Sequence, residues 1–187
     1  MIENLNVTDH FLIAMPGLGD PNFKRTVTYM CQHDPEGALG IVINRPTKLK
    51  LGDLFKQMDI EAGEENITTV PVYYGGPVQP EHGFVIHEPR GDWESSLRVT
   101  DSIALTTSKD VLEAIASGQG PERIVVALGY AGWGEGHLER EMVENAWLNA
   151  PEENHILFDL PTEQRWKSAA EGMGIDISRL SPTAGHA

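Results

Sequence analysis

The stretch TVTYMCQHDPEGALGIVIN, residues 26–44, decides the fold because it predicts two strands joined by a tight turn. Residues 26–33 and 39–44 are rich in β-branched and apolar side chains, which favour strands. Between them, Pro35 presets one turn dihedral, and Gly37 can adopt the positive φ that a tight turn needs. We therefore predict a β-hairpin at this point of the chain.

Short apolar runs separated by turn residues continue on both sides of the hairpin. The further strands that we predict are residues 10–15, 70–74, 83–87, 102–106, 123–128 and 155–160. Apolar residues at helical spacing predict helices at 51–58 and 108–117, a third after Gly136 and a fourth after Thr162. Strands and helices do not alternate regularly, so we expect an α+β fold with a mixed, largely antiparallel sheet.

The composition suits one domain and opposes binding to polyanions. The chain has 187 residues, 40% of them hydrophobic, which is enough for one substantial core. It carries 14 Lys and Arg against 28 Asp and Glu, giving a formal net charge of -14. Affinity for nucleic acids comes largely from Lys and Arg that neutralise phosphates, so we expect no direct nucleic-acid binding.

The cysteine content and the hydropathy pattern bear on the compartment. Cys31 is the single cysteine, which excludes an internal disulfide and is typical of a reducing compartment. The N-terminus lacks the basic segment of a secretory signal, and no apolar run approaches the roughly 18 residues of a membrane-spanning helix. We expect a cytoplasmic protein without a membrane span.

Several sequence blocks in a fixed order carry a resemblance to a known family. The blocks are FLIAMP at 11–16 with DPNFKRTV at 20–27, GALGIVINRP at 37–46, YGGPV at 74–78 with GFVIH at 83–87, and ALGYAGWG at 127–134 with LE at 138–139. Asn145, Trp147, Leu148, Arg165 and Trp166 continue the pattern. Over about residues 5–177 the chain resembles the AlgH/YqgE family.

This resemblance implies a single α+β domain over residues 1–177, with a mixed, partly barrel-like sheet and about four helices. Members of this bacterial family are often labelled transcriptional regulators because of genetic effects rather than because of a DNA-binding motif. The resemblance carries over no catalytic residue, and we expect no metal site and no cofactor. The polar residues 178–187 predict a flexible C-terminal tail.

The open end of the predicted hairpin is the first candidate ligand site. If His33 pairs with Leu39, the side chains of Arg25 and Arg45 emerge on one face at that end. Two guanidinium groups can clamp a phosphate or a carboxylate. The alternative is that both arginines form internal ion pairs, for which Asp20 is close in sequence. The candidate residues at this end are Arg25, Thr26, Asn44 and Arg45.

Two glycine-rich segments give the second set of candidates. Residues 129–136 follow a predicted strand and precede a helix, which is the arrangement of many phosphate-binding loops. Their spacing fits neither the dinucleotide fingerprint nor the P-loop, so close backbone packing is the alternative, with Trp133 as a lid or a core residue. The candidate residues in the two segments are Gly75, Gly76, Gly132, Trp133 and Gly134.

Cys31 and His33 lie two residues apart on a predicted strand, and we expect them on one face. A Cys–His pair can activate a thiolate, whereas a buried free cysteine behaves as a small apolar residue, and both alternatives stay open here. The spacing of the histidines and the single cysteine do not favour a zinc site.

These observations favour a non-enzymatic binding or regulatory protein that acts through an unknown protein partner or a small anionic ligand. Any transcriptional effect would then be indirect. The alternative is a hydrolase or transferase that acts on a small molecule bearing a phosphate or carboxylate. A direct DNA-binding regulator is the third hypothesis, which the net charge of -14 opposes.

Overall fold

Ten strands form one curled sheet within the residues that the computed structural model describes, which are 6–15, 25–63, 65–153 and 155–171. The strands are β1 (His10–Ala14), β2 (Val27–Asp34), β3 (Gly37–Val42), β4 (Pro46–Lys50), β5 (Pro71–Tyr74), β6 (Val78–Glu88), β7 (Ser96–Arg98), β8 (Ala104–Thr106), β9 (Arg123–Trp133) and β10 (Trp147–Pro151). Eight of them follow the order β10-β1-β2-β3-β9-β6-β8-β7, while β5 pairs with both β4 and β9.

Five α-helices flank this sheet in the described part of the chain. They are α1 (Leu51–Gln57), α2 (Glu65–Thr68), α3 (Lys109–Ala116), α4 (His137–Val143) and α5 (Arg165–Glu171). A π-helical turn, His155–Asp159, and a 3-10 turn, Thr162–Gln164, precede α5. Among the described strands, β5 with β9 is the parallel pair and the other pairs are antiparallel. The prediction of an α+β fold with a largely antiparallel, partly barrel-like sheet is confirmed.

Residue alternation along the strands assigns side chains to the two faces of the sheet. In β1, Phe11 and Ile13 pack in one apolar cluster with Ala169 of α5, whereas Leu12 and Ala14 pack in another. Helix α5 therefore covers one face of β1, and the second cluster covers the opposite face. Both faces of this strand are buried, as its nearly continuous apolar sequence requires.

Helices α1 and α3 are attached to the sheet by their apolar faces. These faces and the sheet form one apolar cluster. Its side chains include Leu51, Leu54 and Phe55 from α1, Val111, Leu112 and Ile115 from α3, and Val72, Val85 and Val126 from the sheet. Burial of one such aliphatic side chain contributes about 2 kcal/mol before conformational entropy is counted. Because both helices are short, this packing stabilises them more than their own helix propensity does.

The register of the β2–β3 hairpin differs from the predicted one. His33 pairs with Ala38 rather than with Leu39, and a bulge between Met30 and Gln32 shifts the pairing once more. At the open end of the hairpin the register is therefore two positions away from the prediction. One position of the difference arises at the turn, where Asp34 pairs with Gly37, and the other arises at the bulge, which the apolar pattern of β2 does not reveal.

Strand β9 is longer than predicted. The sequence predicted a strand that ends at residue 128 and a glycine-rich loop after it, but the strand continues to Trp133. Gly132 pairs with Leu39 of β3, and Tyr130 pairs with Val78 of β6. The prediction of a loop over residues 129–133 was therefore wrong, and the connection to α4 shrinks to residues 134–136.

The four predicted helices are confirmed as α1, α3, α4 and α5, although α5 begins at Arg165 after the 3-10 turn, and α2 was not predicted. The strand predicted at 155–160 was wrong, because this segment forms the π-helical turn with Ile156 and Leu157 buried. A short apolar run does not distinguish a strand from a buried helical turn. Residues 16–24 and 172–187, which include Asp20 and the predicted tail, lie outside the described residues, so the domain boundary at 177 stays a prediction.

No helix within the described ranges is long and apolar enough to span a bilayer.

Candidate functional site

The side chain of Asn44 closes the open end of the β2–β3 hairpin. Its Oδ1 accepts a hydrogen bond from the backbone N–H of Val27 at 2.9 Å, and its Nδ2 donates to the carbonyl oxygen of Arg25 at 2.9 Å. Because both polar ends of this amide bind backbone groups, Asn44 holds Arg25 in place rather than facing a ligand. Arg25 itself has a positive φ of 55°, which this clamp maintains.

The guanidinium of Arg25 lies against the indole ring of Trp166 in α5. The guanidinium carbon is 5.5 Å from the ring centroid, which is the geometry of a cation–π contact. The indole N–H of Trp166 donates to the carbonyl oxygen of Ala14 at 3.1 Å and so fixes the ring against β1. Arg25 is exposed, so its guanidinium is presented to solvent from a rigid aromatic surface.

Arg165, the neighbour of Trp166, is a buried cation that the sequence analysis did not select. Only 4% of its surface is exposed. It donates from Nη1 to the carbonyl oxygen of Ile43 and from Nε to that of Leu160, and it lies 5.2 Å from the ring centroid of Tyr73. Burial lowers the pKa of Arg165 below its ordinary value, and the nearby Tyr73 opposes this effect.

These contacts link the open end of the hairpin to α5 in two places. Arg25 contacts Trp166, and the next residue before it, Arg165, binds the carbonyl of Ile43. Asn44, which follows Ile43, binds the carbonyl of Arg25. Among the described residues, neither Arg25 nor Arg165 has a carboxylate oxygen within 4.0 Å. In the described part of the chain, Arg25 and Arg165, which are linked through Trp166 and Asn44, therefore have no carboxylate partner, although the net charge of the chain is -14.

Arg45 and Thr26 lie at the same end of the hairpin. The backbone carbonyl of Arg45 accepts a hydrogen bond from the N–H of Tyr74 at 2.7 Å, which ties this end to β5. Arg45 is half-buried and Thr26 is fully buried, and each is engaged in further interactions. Arg25, Thr26 and Arg45 thus lie at the same end of the hairpin, and Arg25 is the most exposed of the three. We refer to Arg25, Arg45 and Arg165 as the arginine cluster.

Gly75 and Gly76 serve backbone packing. The N–H of Gly75 donates to Leu128, and its carbonyl accepts from Val42, so this residue joins β3 to β9. A Cβ atom on Gly76 would overlap with the backbone of Tyr130. For these two positions the structure favours the packing alternative over a loop that cradles phosphate.

Gly132 and Trp133 lie at the other end of β3, facing a cleft of about 470 Å³. Arg45 lies six positions along the chain from Leu39, the partner of Gly132, a span of at most about 20 Å. The rim of the cleft carries Asp34 and Glu36 rather than arginines. This part of the candidate site therefore repels anions and does not join the arginine cluster.

Trp133 is a core residue rather than a lid. It is 8% exposed, and its indole N–H donates to Oε1 of Glu141 at 3.1 Å. The indole N–H of Trp147 donates to the same oxygen at 2.8 Å, and the two rings meet edge to face with centroids 6.0 Å apart. One carboxylate of α4 thus binds two indoles of the sheet. Gly134 lies next to this contact and faces the ring of His137.

His33 fastens α4 to β2 as a neutral ring. Its Nδ1 accepts the backbone N–H of Val7 at 3.1 Å, so Nδ1 carries no proton. Its Nε2, which lies 3.1 Å from Oε1 of Glu139, must then donate. The contact with Glu139 is accordingly a hydrogen bond from a neutral imidazole rather than an ion pair.

Cys31 and His33 do not form a catalytic pair. Cys31 continues the alternation of Val27 and Tyr29 within one apolar cluster, whereas His33, which lies beyond the bulge, binds the backbone of Val7, a residue of a different cluster. The prediction that they share a face was therefore wrong. Cys31 is 1% exposed, and burial raises the pKa of its thiol, which disfavours the reactive thiolate. Within the described residues, no three His, Cys, Asp or Glu side chains are grouped to hold a metal ion.

Comparison with known proteins shows the family to which this fold belongs. The family described as AlgH-like matches residues 11–178. The chain belongs to the AlgH-like family. A UPF0301 protein of Methylococcus capsulatus is 55% identical over 180 residues, covering 96% of each chain. A UPF0301 protein of Chromobacterium violaceum is 51% identical over 186 residues and covers 100% of both.

Solved structures agree with this assignment to the AlgH-like family. The solution structure of the AlgH protein from Pseudomonas aeruginosa matches with a TM-score of 0.80 and 45% identity, covering 98% of this chain and 97% of that one. An X-ray crystal structure of a Corynebacterium diphtheriae protein matches with a TM-score of 0.71 at 16% identity, over 91% and 89% of the two chains. At that identity the second match shows the fold alone.

Sequence reasoning on this AlgH-like chain missed Arg165 as a site residue. The arginine comes from a helix that is distant in sequence, and its contact with Ile43 spans 122 positions. One signal was present: Arg165 and Ala169 are four residues apart, so they share a helix face, and that face is apolar. A charged residue on a buried face points either to a paired charge or to a functional one.

Proposed function

We propose that the arginine cluster binds a small anionic ligand, such as a phosphate- or carboxylate-bearing metabolite, and that the chain is a binding protein rather than an enzyme. The observation that carries this proposal is Arg165, a 4% exposed guanidinium without a carboxylate within 4.0 Å among the described residues. A buried charge is usually paired, because desolvation costs several kcal/mol.

The second support is the placement of Arg25. Its guanidinium is exposed and contacts Trp166, and its backbone is held by Asn44, so less entropy is lost when the side chain binds an anion. Arg165, the buried neighbour of Trp166, adds positive potential, and its low-dielectric surroundings strengthen its field. A planar guanidinium can donate two parallel hydrogen bonds to one phosphate or carboxylate.

The net charge of -14 makes the arginine cluster selective for small anions over long polyanions. A long polyanion such as DNA would bring many phosphates close to the acidic surface, whereas a small anion meets the cluster alone. Any influence on transcription would therefore be indirect, through the liganded protein and its partner. A cytoplasmic location is part of this proposal and is motivated by the buried, free Cys31.

A thermal-shift screen of small phosphates and carboxylates tests the proposal. A ligand that binds the folded state raises the melting temperature, by an amount equivalent to about 2.7 kcal/mol at a concentration 100-fold above Kd. We expect this shift in the parent protein and its loss in Arg45→Ala and in Arg25→Gln. If no phosphate or carboxylate shifts the parent, or if the variants shift equally, the proposal is wrong.

The alternative function, a hydrolase or transferase at the same cluster, predicts consumption of the bound molecule. Incubation of each stabilising ligand with the parent protein, followed by ³¹P NMR or mass spectrometry, separates the two. An unchanged ligand supports a binding protein, and turnover that Arg25→Gln abolishes supports an enzyme.

A further inference from the structure

A chain of three polar side chains crosses the three strands at one end of the sheet. Ser96 of β7 pairs with Thr106 of β8, and their hydroxyl oxygens are 2.5 Å apart. Oγ1 of Thr106 lies 2.6 Å from Nε2 of His87 in β6, and Nδ1 of His87 lies 2.8 Å from the carbonyl oxygen of Pro89. None of these residues belongs to the arginine cluster.

The donor and acceptor groups determine the direction of each hydrogen bond in this series of side chains. A carbonyl oxygen can only accept, so Nδ1 of His87 carries the proton that binds Pro89. In the neutral ring Nε2 is then the acceptor, and the single hydroxyl proton of Thr106 points to it. Since that proton is used, the hydroxyl of Ser96 must donate to Thr106. The hydroxyl groups of Ser96 and Thr106 thus both donate in the direction of His87.

The two ends of this series of side chains differ in burial. His87 and Thr106 are 0% exposed, whereas Ser96 is exposed on β7, the terminal strand of the sheet. The edge of the Trp93 indole meets the His87 ring, with centroids 6.4 Å apart, and limits its rotation. A buried base that is oriented by a carbonyl and linked to a solvent-facing hydroxyl is the arrangement of an activated nucleophile.

We propose that Ser96 is a nucleophile that His87 activates through Thr106, and that it accepts the acyl group of a small activated ester. In the forward step, Oγ of Ser96 bonds to the acyl carbon. The Ser96 proton moves to Thr106 while the Thr106 proton moves to Nε2 of His87. The bond between the acyl carbon and the leaving alkoxide then breaks, and the proton returns through Thr106 to that alkoxide. The products are acyl-Ser96 and one alcohol.

The experiment uses p-nitrophenyl acetate as the probe, with the burst of p-nitrophenolate and tryptic mass spectrometry as readouts. We expect one acetyl group per chain, located on Ser96. Ser95 is also exposed but has no hydroxyl partner in the chain to His87, so it serves as a control within the same molecule. Ser95→Ala should leave the burst unchanged, and Ser96→Ala should remove it.

The proton transfer through Thr106 is tested by variants that keep or remove its hydroxyl. A positioned base typically contributes 100-fold or more, so Thr106→Val and His87→Gln should each slow acetylation of Ser96 at least tenfold. Thr106→Ser, which keeps the hydroxyl, should retain the rate. The ratio of Ser96 to Ser95 acetylation within each sample corrects for partial unfolding. Equal labelling of Ser95 and Ser96 in the parent, or a Thr106→Val rate equal to that of Thr106→Ser, would overturn the proposal.

Discussion

Gly129 lies so close to Gly76 that a Cβ atom on Gly129 would overlap with the carbonyl oxygen of Gly76. The backbone of Gly129 also has a positive φ of 79°, which side chains disfavour. Two backbones therefore touch at this point, where the segment after β5 crosses β9. The contact keeps β3, β5 and β9 in the arrangement that positions the arginine cluster, since the neighbouring Gly75 binds Val42 and Leu128.

Replacing Gly129 by alanine should be strongly destabilising. The overlap and the positive φ together predict a loss of about 3 kcal/mol in the free energy of unfolding, measured by urea titration. Gly134→Ala is the matched control, because its Cβ would meet the His137 ring at an ordinary 3.5 Å. Equal stability of the two variants would show that the close approach of Gly76 and Gly129 does not constrain the fold.

The carboxylate of Glu141 should stabilise the attachment of α4. Glu141→Ala removes the acceptor of two indole N–H groups, so we expect a loss of about 2 to 3 kcal/mol in the free energy of unfolding and altered tryptophan fluorescence. Glu144→Ala, an exposed residue that ends the same helix, should change the stability by less than about 0.5 kcal/mol. Similar losses in both variants would refute the role assigned to Glu141.

Glu152 should make the protein less stable as the pH rises towards neutrality. Burial, followed by the negative charges of Asp9, Glu88 and Glu153, raises the pKa of Glu152 to about 7. Because this is above the unfolded value of 4.5, the contribution of the protonated carboxyl is complete below pH 4.5 and is lost as the pH rises through about 7.

Glu152→Gln should therefore stabilise the protein at pH 8 and leave it nearly unchanged at pH 4. Glu152 is half-buried, so after allowance for solvent screening we expect a gain of about 1 kcal/mol at pH 8. Denaturant titrations across this pH range provide the measurement, with the exposed Glu113→Gln as the control. A gain of equal size at both pH values would contradict the assigned pKa.

Direct DNA binding should be absent. The chain carries 28 acidic and 14 basic side chains, so we expect no gel shift of duplex DNA even at about 20 mM salt, where phosphate contacts are strongest. A shift that weakens steeply as salt is added would show a cationic surface that the proposal of a small-anion site does not include.

The sequence predicted the sheet class and most elements because strand and helix periodicity are local. It placed Arg25, Thr26, Asn44 and Arg45 at one end of the hairpin, and they do lie there, although the bulge in β2 changed the register. The hairpin turn limits the separation of residues 25 and 45 whatever the register, so the proximity was predictable. The roles of individual side chains were not, as Asn44 shows by binding backbone at both ends.

Features that depend on distant contacts escaped prediction. Gly129 and Gly132 resemble loop residues locally, yet they lie within β9 because Gly76 and β3 pack against them. The segment 155–160 has the composition of a strand, but it forms a π-helical turn that buries Ile156 against the sheet cluster. Arg165 became a candidate only when the fold brought it to Ile43.

The central claim is that the arginine cluster binds small anions, and isothermal titration calorimetry with inorganic phosphate and with citrate tests it most directly. The parent, Arg25→Gln and Arg98→Gln should be compared at one ionic strength, because Arg98 pairs with Asp101 and its variant matches the change of charge. A lost charge-assisted contact predicts Kd weakened at least tenfold in Arg25→Gln and unchanged in Arg98→Gln. Absence of binding by the parent, or the same Kd in all three proteins, would contradict the claim.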